Sequence, residues 1–245
     1  METSTTPPVA LIIGAGDAIG SAIVRKFASQ GYTVCAARRN AEKLAPLVTE
    51  LAADGQEIHT FSCDARKEEA IVDLFSHIEA ELGELEVVIF NIGANVPMGI
   101  LDTDSRKFFK IWEMACFAGF LSGREAARYM VPRQRGTIIF TGATASVRGA
   151  AGFAAFASAK HGLRALAQSM ARELGPKNIH VAHLVIDAAV DTEWVSQMVP
   201  DFEARKTEGA IVDPDELAGN YLALHEQPRS AWTFEMDVRP WKESW

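Results

Sequence analysis

Cysteine is scarce in this chain, and what there is lies apart. Cys35, Cys63 and Cys116 form no Cys-x-x-Cys pair and no even framework, which excludes a disulfide scaffold and a thiolate metal knuckle. A protein kept reduced in the cytoplasm is the expectation. Positive charge is short as well: 24 lysines and arginines face 32 aspartates and glutamates, a formal net charge of −8. Such a surface has no basic stripe to displace counterions from a phosphate backbone, so nucleic acid is not an expected partner. No apolar run reaches the length of a membrane span, and the opening METSTTPP lacks the basic segment of a secretory signal. Neither a membrane nor export is expected. His180 and His183, three apart in a predicted strand, point to opposite faces, so no metal site is expected.

What is present is an ordinary globular composition, 48% hydrophobic and 23% charged over 245 residues. Residues 1–8 read as a disordered lead-in, stiffened by Pro7-Pro8, and 9–245 as one domain. Val9–Ile13 is a short continuous apolar run, the pattern of a strand buried on both faces. Further strands are predicted at Thr33–Ala37, Glu57–Phe61, Val87–Phe90, Gly136–Thr141 and Ile179–Ile186. Helical patterns separate them at 41–54, 66–82 and 104–131, the last ending at Pro132, and in a stretch running to Leu174. Asp213-Pro214-Asp215-Glu216 is a capping box with proline at the first helical position. Trp232, Phe234, Met236 and Val238 alternate as in a half-buried final strand, with Trp241 and Trp245 beyond, and this stripe is expected to be mostly core. The fold class is α/β: a single-domain, Rossmann-type, doubly wound parallel sheet.

Two stretches carry chemistry. Gly14-Ala15-Gly16-Asp17-Ala18-Ile19-Gly20 follows the first strand directly and opens a helix. Glycines in that context let a backbone approach a pyrophosphate, and the helix N-terminus supplies free N–H groups. A tight turn that merely needs glycine is the plainer alternative. The second stretch, Phe153 to Leu163, places Phe156 and Lys160 one helical turn apart on one face. A tyrosine at that spacing would have its pKa lowered by the ammonium and could pass a proton to a carbonyl oxygen. Here the lysine is present and the phenol is not.

These landmarks together resemble the short-chain dehydrogenase/reductase family from about residue 9 to 240. Gly14-x-x-x-Ala18-Ile19-Gly20 resembles its T-G-x-x-x-G-I-G turn, and Asn91-Ile92-Gly93-Ala94 its N-N-A-G segment. The resemblance implies cofactor contacts at Gly14, Gly16, Asp17, Ile19, Gly20, Asp64, Ala65, Asn91 and Gly93. It adds Thr192 on the nicotinamide carboxamide and Lys160 on the nicotinamide ribose. Of the family tetrad Asn, Ser, Tyr, Lys, only Lys160 matches; Phe156, Ala143 and Ala115 fall at the Tyr, Ser and Asn positions. The chain is thus similar to a subgroup with Phe for the active-site Tyr. At the end of the second strand stand Arg38 and Arg39 rather than an acid, which suits the 2′-phosphate of NADP(H) over NAD(H).

Asp187 takes the place of the family's proline after the sixth strand. It reads either as a substitute acid or, preferably, as an ion-pair partner of Lys160 or an arginine. Thr144 and Ser146 are the hydroxyls nearest Ala143, each a substrate contact or a strand-end bond. His161 points away from Lys160. Residues 193–212, with Trp194, Met198 and Phe202, fall in the family's substrate lid and suggest an apolar small-molecule substrate. A homodimer or homotetramer is implied. Two functions stay open: an NAD(P)-dependent oxidoreductase with a depleted tetrad, or a catalytically silent NADP(H)-binding protein acting as redox sensor or partner subunit.

Overall fold

The computed structural model describes residues 7–243, so positions 1–6 of the expected lead-in, and Trp245, lie outside the described residues. β1 (Val9–Ile13) buries all five of its residues, as a strand covered on both faces must. It leads through the glycine turn into α1 (Ile19–Ala28). The alternation continues with β2 (Thr33–Arg38), α2 (Ala45–Ala53), β3 (Ile58–Ser62), α3 (Glu68–Glu81) and β4 (Leu85–Phe90). The second half contributes α4 (Ser105–Trp112), α5 (Ala118–Arg133), β5 (Thr137–Thr141), α6 (Ala154–Leu174) and β6 (His180–Ile186). It closes with α7 (Glu193–Met198), α8 (Phe202–Thr207), α9 (Pro214–His225) and β7 (Glu235–Val238).

The seven strands form one parallel sheet in the order β3-β2-β1-β4-β5-β6-β7, the doubly wound arrangement expected. The chain builds outward from β1 to β3, then returns to the far side of β1 for β4. Loops leaving β1 and β4 therefore diverge, and a crevice opens at the carboxyl ends of the strands. On one face α1, α2 and α9 set Phe27, Leu47 and Tyr221 against Ile12, Val34 and Ile139. On the other, α3, α5 and α6 set Phe75, Leu121 and Leu163 against Leu11, Val88 and Phe140. Phe27 and Phe75 are fully buried, and each such burial contributes roughly 1.5–3 kcal/mol. A smaller cluster around Ile111, Ala115 and Phe156 walls the crevice beside β5.

Four local expectations are corrected. The helix read over 104–131 is interrupted by a π-helical turn at Glu113–Phe117, with α4 before it and α5 after it. α5 also runs through Pro132 to Arg133, because in the last turn the proline ring forfeits a single backbone bond before Gln134 ends the helix in the left-handed region. The helix read over 41–54 begins as a 3₁₀ turn at Ala41–Leu44, and its α-helical part starts beside Pro46, which favours a first-turn position. Only Glu235–Val238 of the final aromatic stripe is strand. Trp232 instead stacks on His180 at 4.9 Å, Phe234 packs on the α6 side, and Met236 and Val238 pack on the opposite side. Trp241 is 81% exposed rather than core. No helix among the described residues is long and apolar enough to cross a membrane.

Candidate functional site

The crevice holds two adjoining cavities of about 480 and 330 Å³ that share Gly14, Gly16, Asn91 and Gly93. The glycine turn makes their common floor. Gly14 adopts φ +93°, and a Cβ there would lie 2.8 Å from the Asn91 carbonyl oxygen. At Gly20 a Cβ would lie 2.5 Å from the Gly14 carbonyl oxygen, so the turn closes onto α1 only because that side chain is absent. The Gly14 and Ala15 N–H groups donate to the Ala37 carbonyl at 2.9 and 3.1 Å, and Asn91 Nδ2 donates to the Gly14 carbonyl at 3.1 Å. β1, β2 and β4 are thus tied at their ends. Gly16 and Gly93 have no crowding neighbour on their Cβ side, which leaves bare backbone open to the crevice. An open glycine floor meeting the first turn of a helix fits a dinucleotide's phosphates.

The larger cavity brings together Arg38, Arg39, Asp64 and Ala65, with Lys43 and Arg66 beside them. Sequence reasoning missed the last two, although Lys43 follows Arg39 by four residues and Arg66 follows Asp64 by two. Arg66 grips Asp64 with two bonds, Nε to Oδ1 at 2.8 Å and Nη2 to Oδ2 at 2.6 Å. This guanidinium is the main reason the Asp64 carboxyl sits below the usual range. Arg38 is committed too: its Nη1 donates to Asp17 Oδ1 at 2.6 Å, joining β2 to the glycine turn. Arg39 is exposed at the mouth.

The smaller cavity brings Asp17, Ile19 and Gly20 to one side and Ala143, Phe156, Lys160 and Thr192 to the other. Lys160 is 2% exposed. Its Nζ donates to the Thr141 carbonyl at 2.8 Å and the Ile92 carbonyl at 3.2 Å. Burial pushes its pKa down to about 8, with the Cys116 thiol acting weakly the other way. Phe156 is 7% exposed, its ring centroid 6.0 Å from the ammonium. Thr192 caps α7 by accepting from the Val195 N–H at 3.1 Å, so its own hydroxyl proton remains free to donate. Ala115 lies fully buried within the π-helical turn.

The remaining candidates resolve into structural parts. Ser146 is fully buried, and its Oγ accepts from the Ala143 N–H at 3.1 Å, so it closes the strand end. Asp187 is paired by Arg148 at 3.1 Å and Arg239 at 3.4 Å, so the expected ion-pair role is met by arginines. His161 Nδ1 bonds the Ala157 carbonyl at 2.9 Å in its own helix. In the 193–212 segment Trp194 and Met198 are exposed while Phe202 is buried. The segment is pinned at its ends by the Val190–Val212 bridge and the 2.5 Å Lys206–Asp191 ion pair. Among the described residues no three His, Cys, Asp or Glu side chains gather as a metal site.

A family model described as short chain dehydrogenase matches residues 8–202 of this sequence. The chain belongs to the short-chain dehydrogenase family. A short-chain dehydrogenase from Rhodopseudomonas palustris is 52% identical, with a TM-score of 0.81 over 96% of this chain and 99% of that one. A metagenomic short-chain oxidoreductase solved in complex with NADP is 26% identical, with a TM-score of 0.81 over 98% of this chain and all of that one. The (21S)-21-acetoxyl-apo-melianone synthase of Melia azedarach is 31% identical over 228 residues, 89% of this chain and 83% of the relative. This chain is therefore similar in sequence and fold to oxidoreductases over nearly its whole length.

Proposed function

We propose that this chain is an NADP(H)-dependent oxidoreductase of small apolar substrates that works without the family's phenol and serine. The observation that carries the reading is Lys160, buried in the wall of the smaller cavity, with Phe156 in place of a proton donor. A bound nicotinamide would supply the hydride. Lys160 would hold the ribose hydroxyls, Thr192 would donate to the carboxamide, and the glycine turn with α1 would take the pyrophosphate. Arg39, Lys43 and Arg38 favour a 2′-phosphate at the mouth, and a relative 26% identical is solved with NADP. Asp64 and Ala65 would flank the adenine.

Proton supply restricts the substrate. Phe156 and Ala143 offer no transferable proton, and Ser146 is fully buried behind Ala143 and outside the cavity lining. An acceptor that needs little protonation in the hydride step, an activated alkene or an iminium ion, suits such a wall better than a ketone. The apolar side chains of Ala94, Met98, Met114 and Phe153 around Phe156 support an apolar substrate. The test is calorimetric titration with NADPH and then NADH at equal ionic strength, followed by turnover on ketones and activated alkenes. Tight NADPH binding with alkene turnover supports the reading. Binding without any turnover favours the second one, a silent NADP(H)-binding sensor or partner subunit, which the same missing donors support. A homodimer or homotetramer is proposed as well, and the exposed Phe108, Phe109 and Phe120 give it an apolar surface; light scattering measures it.

A further inference from the structure

Behind the lysine lies a chain of polar contacts, half-buried at one end and buried at the other, that the proposed chemistry does not use. Arg164, one turn after Lys160 on α6, grips Glu235 of β7 with two bonds of 2.6 Å. Glu235 Oε2 in turn meets His183 Nδ1 of β6 at 3.0 Å. His183 is fully buried. Because a carboxylate only accepts, the imidazole proton must sit on Nδ1, and the neutral ring then carries a bare lone pair on Nε2. That Nε2 has no protein partner. A buried polar atom left in this way calls for a reason.

Its position suggests one. A Cβ on Gly142 would lie 2.5 Å from His183 Nε2, so the ring edge presses against Gly142 where a side chain would otherwise stand. Gly142 lines the same cavity as Lys160 and Phe156, and the preceding Thr141 supplies the carbonyl that Lys160 donates to at 2.8 Å. Lysine and imidazole thus both lie against the Thr141–Gly142 stretch. Three charged groups face the imidazole: Glu235 from β7, and Lys160 and Arg164 from α6. The titratable groups near Lys160 are Cys116 from the π-helical turn and His183 from β6. Burial first, then the two cations, keep His183 neutral by pushing it down to about 4, against the pull of Glu235.

We propose that His183 is a positioning residue for Lys160: Glu235 fixes its tautomer so that the Nε2 lone pair lies behind Gly142 of the cavity wall and supports the lysine's ammonium from there. Resting on the proposed function only for the importance of Lys160, this adds a part that works from behind the site. The negative end of a neutral imidazole dipole stabilises a nearby cation, whereas an Nε2–H would oppose it.

The test follows the Lys160 Cε resonance against pH in ligand-free protein, assigned by its loss in Lys160→Arg. The wild-type midpoint is expected near 8. His183→Leu keeps the volume and removes the lone pair, and the midpoint should fall by about half a pH unit, the size expected of a neutral dipole acting without a direct hydrogen bond. His183→Gln, whose amide oxygen reaches the Nε2 position, should recover most of that fall. An unmoved midpoint in a folded His183→Leu protein overturns the proposal. Should that variant not fold, the imidazole 15N spectrum of the wild type decides. A proton on Nδ1 with a bare Nε2 supports the proposal, and a proton on Nε2 overturns it. None of these readouts uses a nucleotide, so their failure is distinguishable from a failure to bind NADPH.

Discussion

The Lys160 ammonium stands 6.0 Å from the centroid of the Phe156 ring, one turn earlier on α6, so the lysine faces an aromatic surface that has no proton to give. Returning the missing donors should therefore change the chemistry more than the binding. In the double variant Ala143→Ser with Phe156→Tyr, ketone reduction should rise by about 10²–10⁴ over wild type, the usual worth of a positioned acid. NADPH affinity should stay within a few-fold. Steady-state turnover and calorimetry on the same preparations check both. An unchanged ketone rate with intact binding would remove the missing phenol as the limiting factor.

Cofactor choice should divide unequally between the two arginines. Arg38 already neutralises Asp17 at 2.6 Å, whereas Arg39 is exposed at the mouth. Arg39→Ala should weaken NADPH binding about 10-fold or more and leave NADH nearly untouched, since a charge-assisted phosphate contact contributes about 1.5–3 kcal/mol. Asp17→Asn removes a negative charge beside the phosphates and should tighten NADPH binding a few-fold. Equal losses of both nucleotides in Arg39→Ala would count against a 2′-phosphate contact.

The buried lysine should leave a mark on stability. In the unfolded chain Lys160 titrates near 10.5, and in the fold near 8. Between those values the unfolded state binds more protons, so this group's penalty on folding shrinks as pH rises from 8 to 10.5 and is fully present below 8. Its upper bound is about 3 kcal/mol. The buried thiols of Cys35 and Cys63, raised to about 12 and 11 chiefly by burial, act in the opposite direction at alkaline pH. The comparison is thus wild type against Lys160→Met by urea unfolding, whose difference in stability should change steadily across pH 8 to 10.5 in favour of wild type.

Acid should act through the buried histidines. Burial pushes His183 and His225 down from 6.5 to about 4. From pH 6.5 to 4 the unfolded state takes up protons that the fold refuses, so stability falls as pH drops through that window. Each residue contributes at most about 3 kcal/mol to the loss. His225→Gln should flatten the slope of the urea midpoint over this range, and a slope identical to wild type would show that His225 titrates normally in the fold.

Legibility followed locality. Val9 to Gly20 spelled out strand, turn and helix start because each signal lies within a few residues of the next, and the structure forms β1, the turn and α1 there. Phe156 and Lys160 were readable for the same reason. The π-helical turn was not, since one extra residue per turn hardly disturbs a helical apolar pattern over so long a stretch. Asp187 was placed near the site, but its partners Arg148 and Arg239 come from distant parts of the chain that only the sheet brings together. Glu235 and His183 are 52 residues apart, and nothing local joins them until β6 and β7 pair. The aromatic stripe misled because alternation shows a period and not where a strand begins.

Lys160 does one thing that needs no ligand. Its two acceptors, the carbonyls of Ile92 and Thr141, lie just past β4 and at the last residue of β5, so a single ammonium ties the ends of two neighbouring strands together. One side of the crevice is therefore braced by one side chain. An ammonium has three N–H donors and these carbonyls take two, so the third is left for a ligand hydroxyl while the frame stays braced.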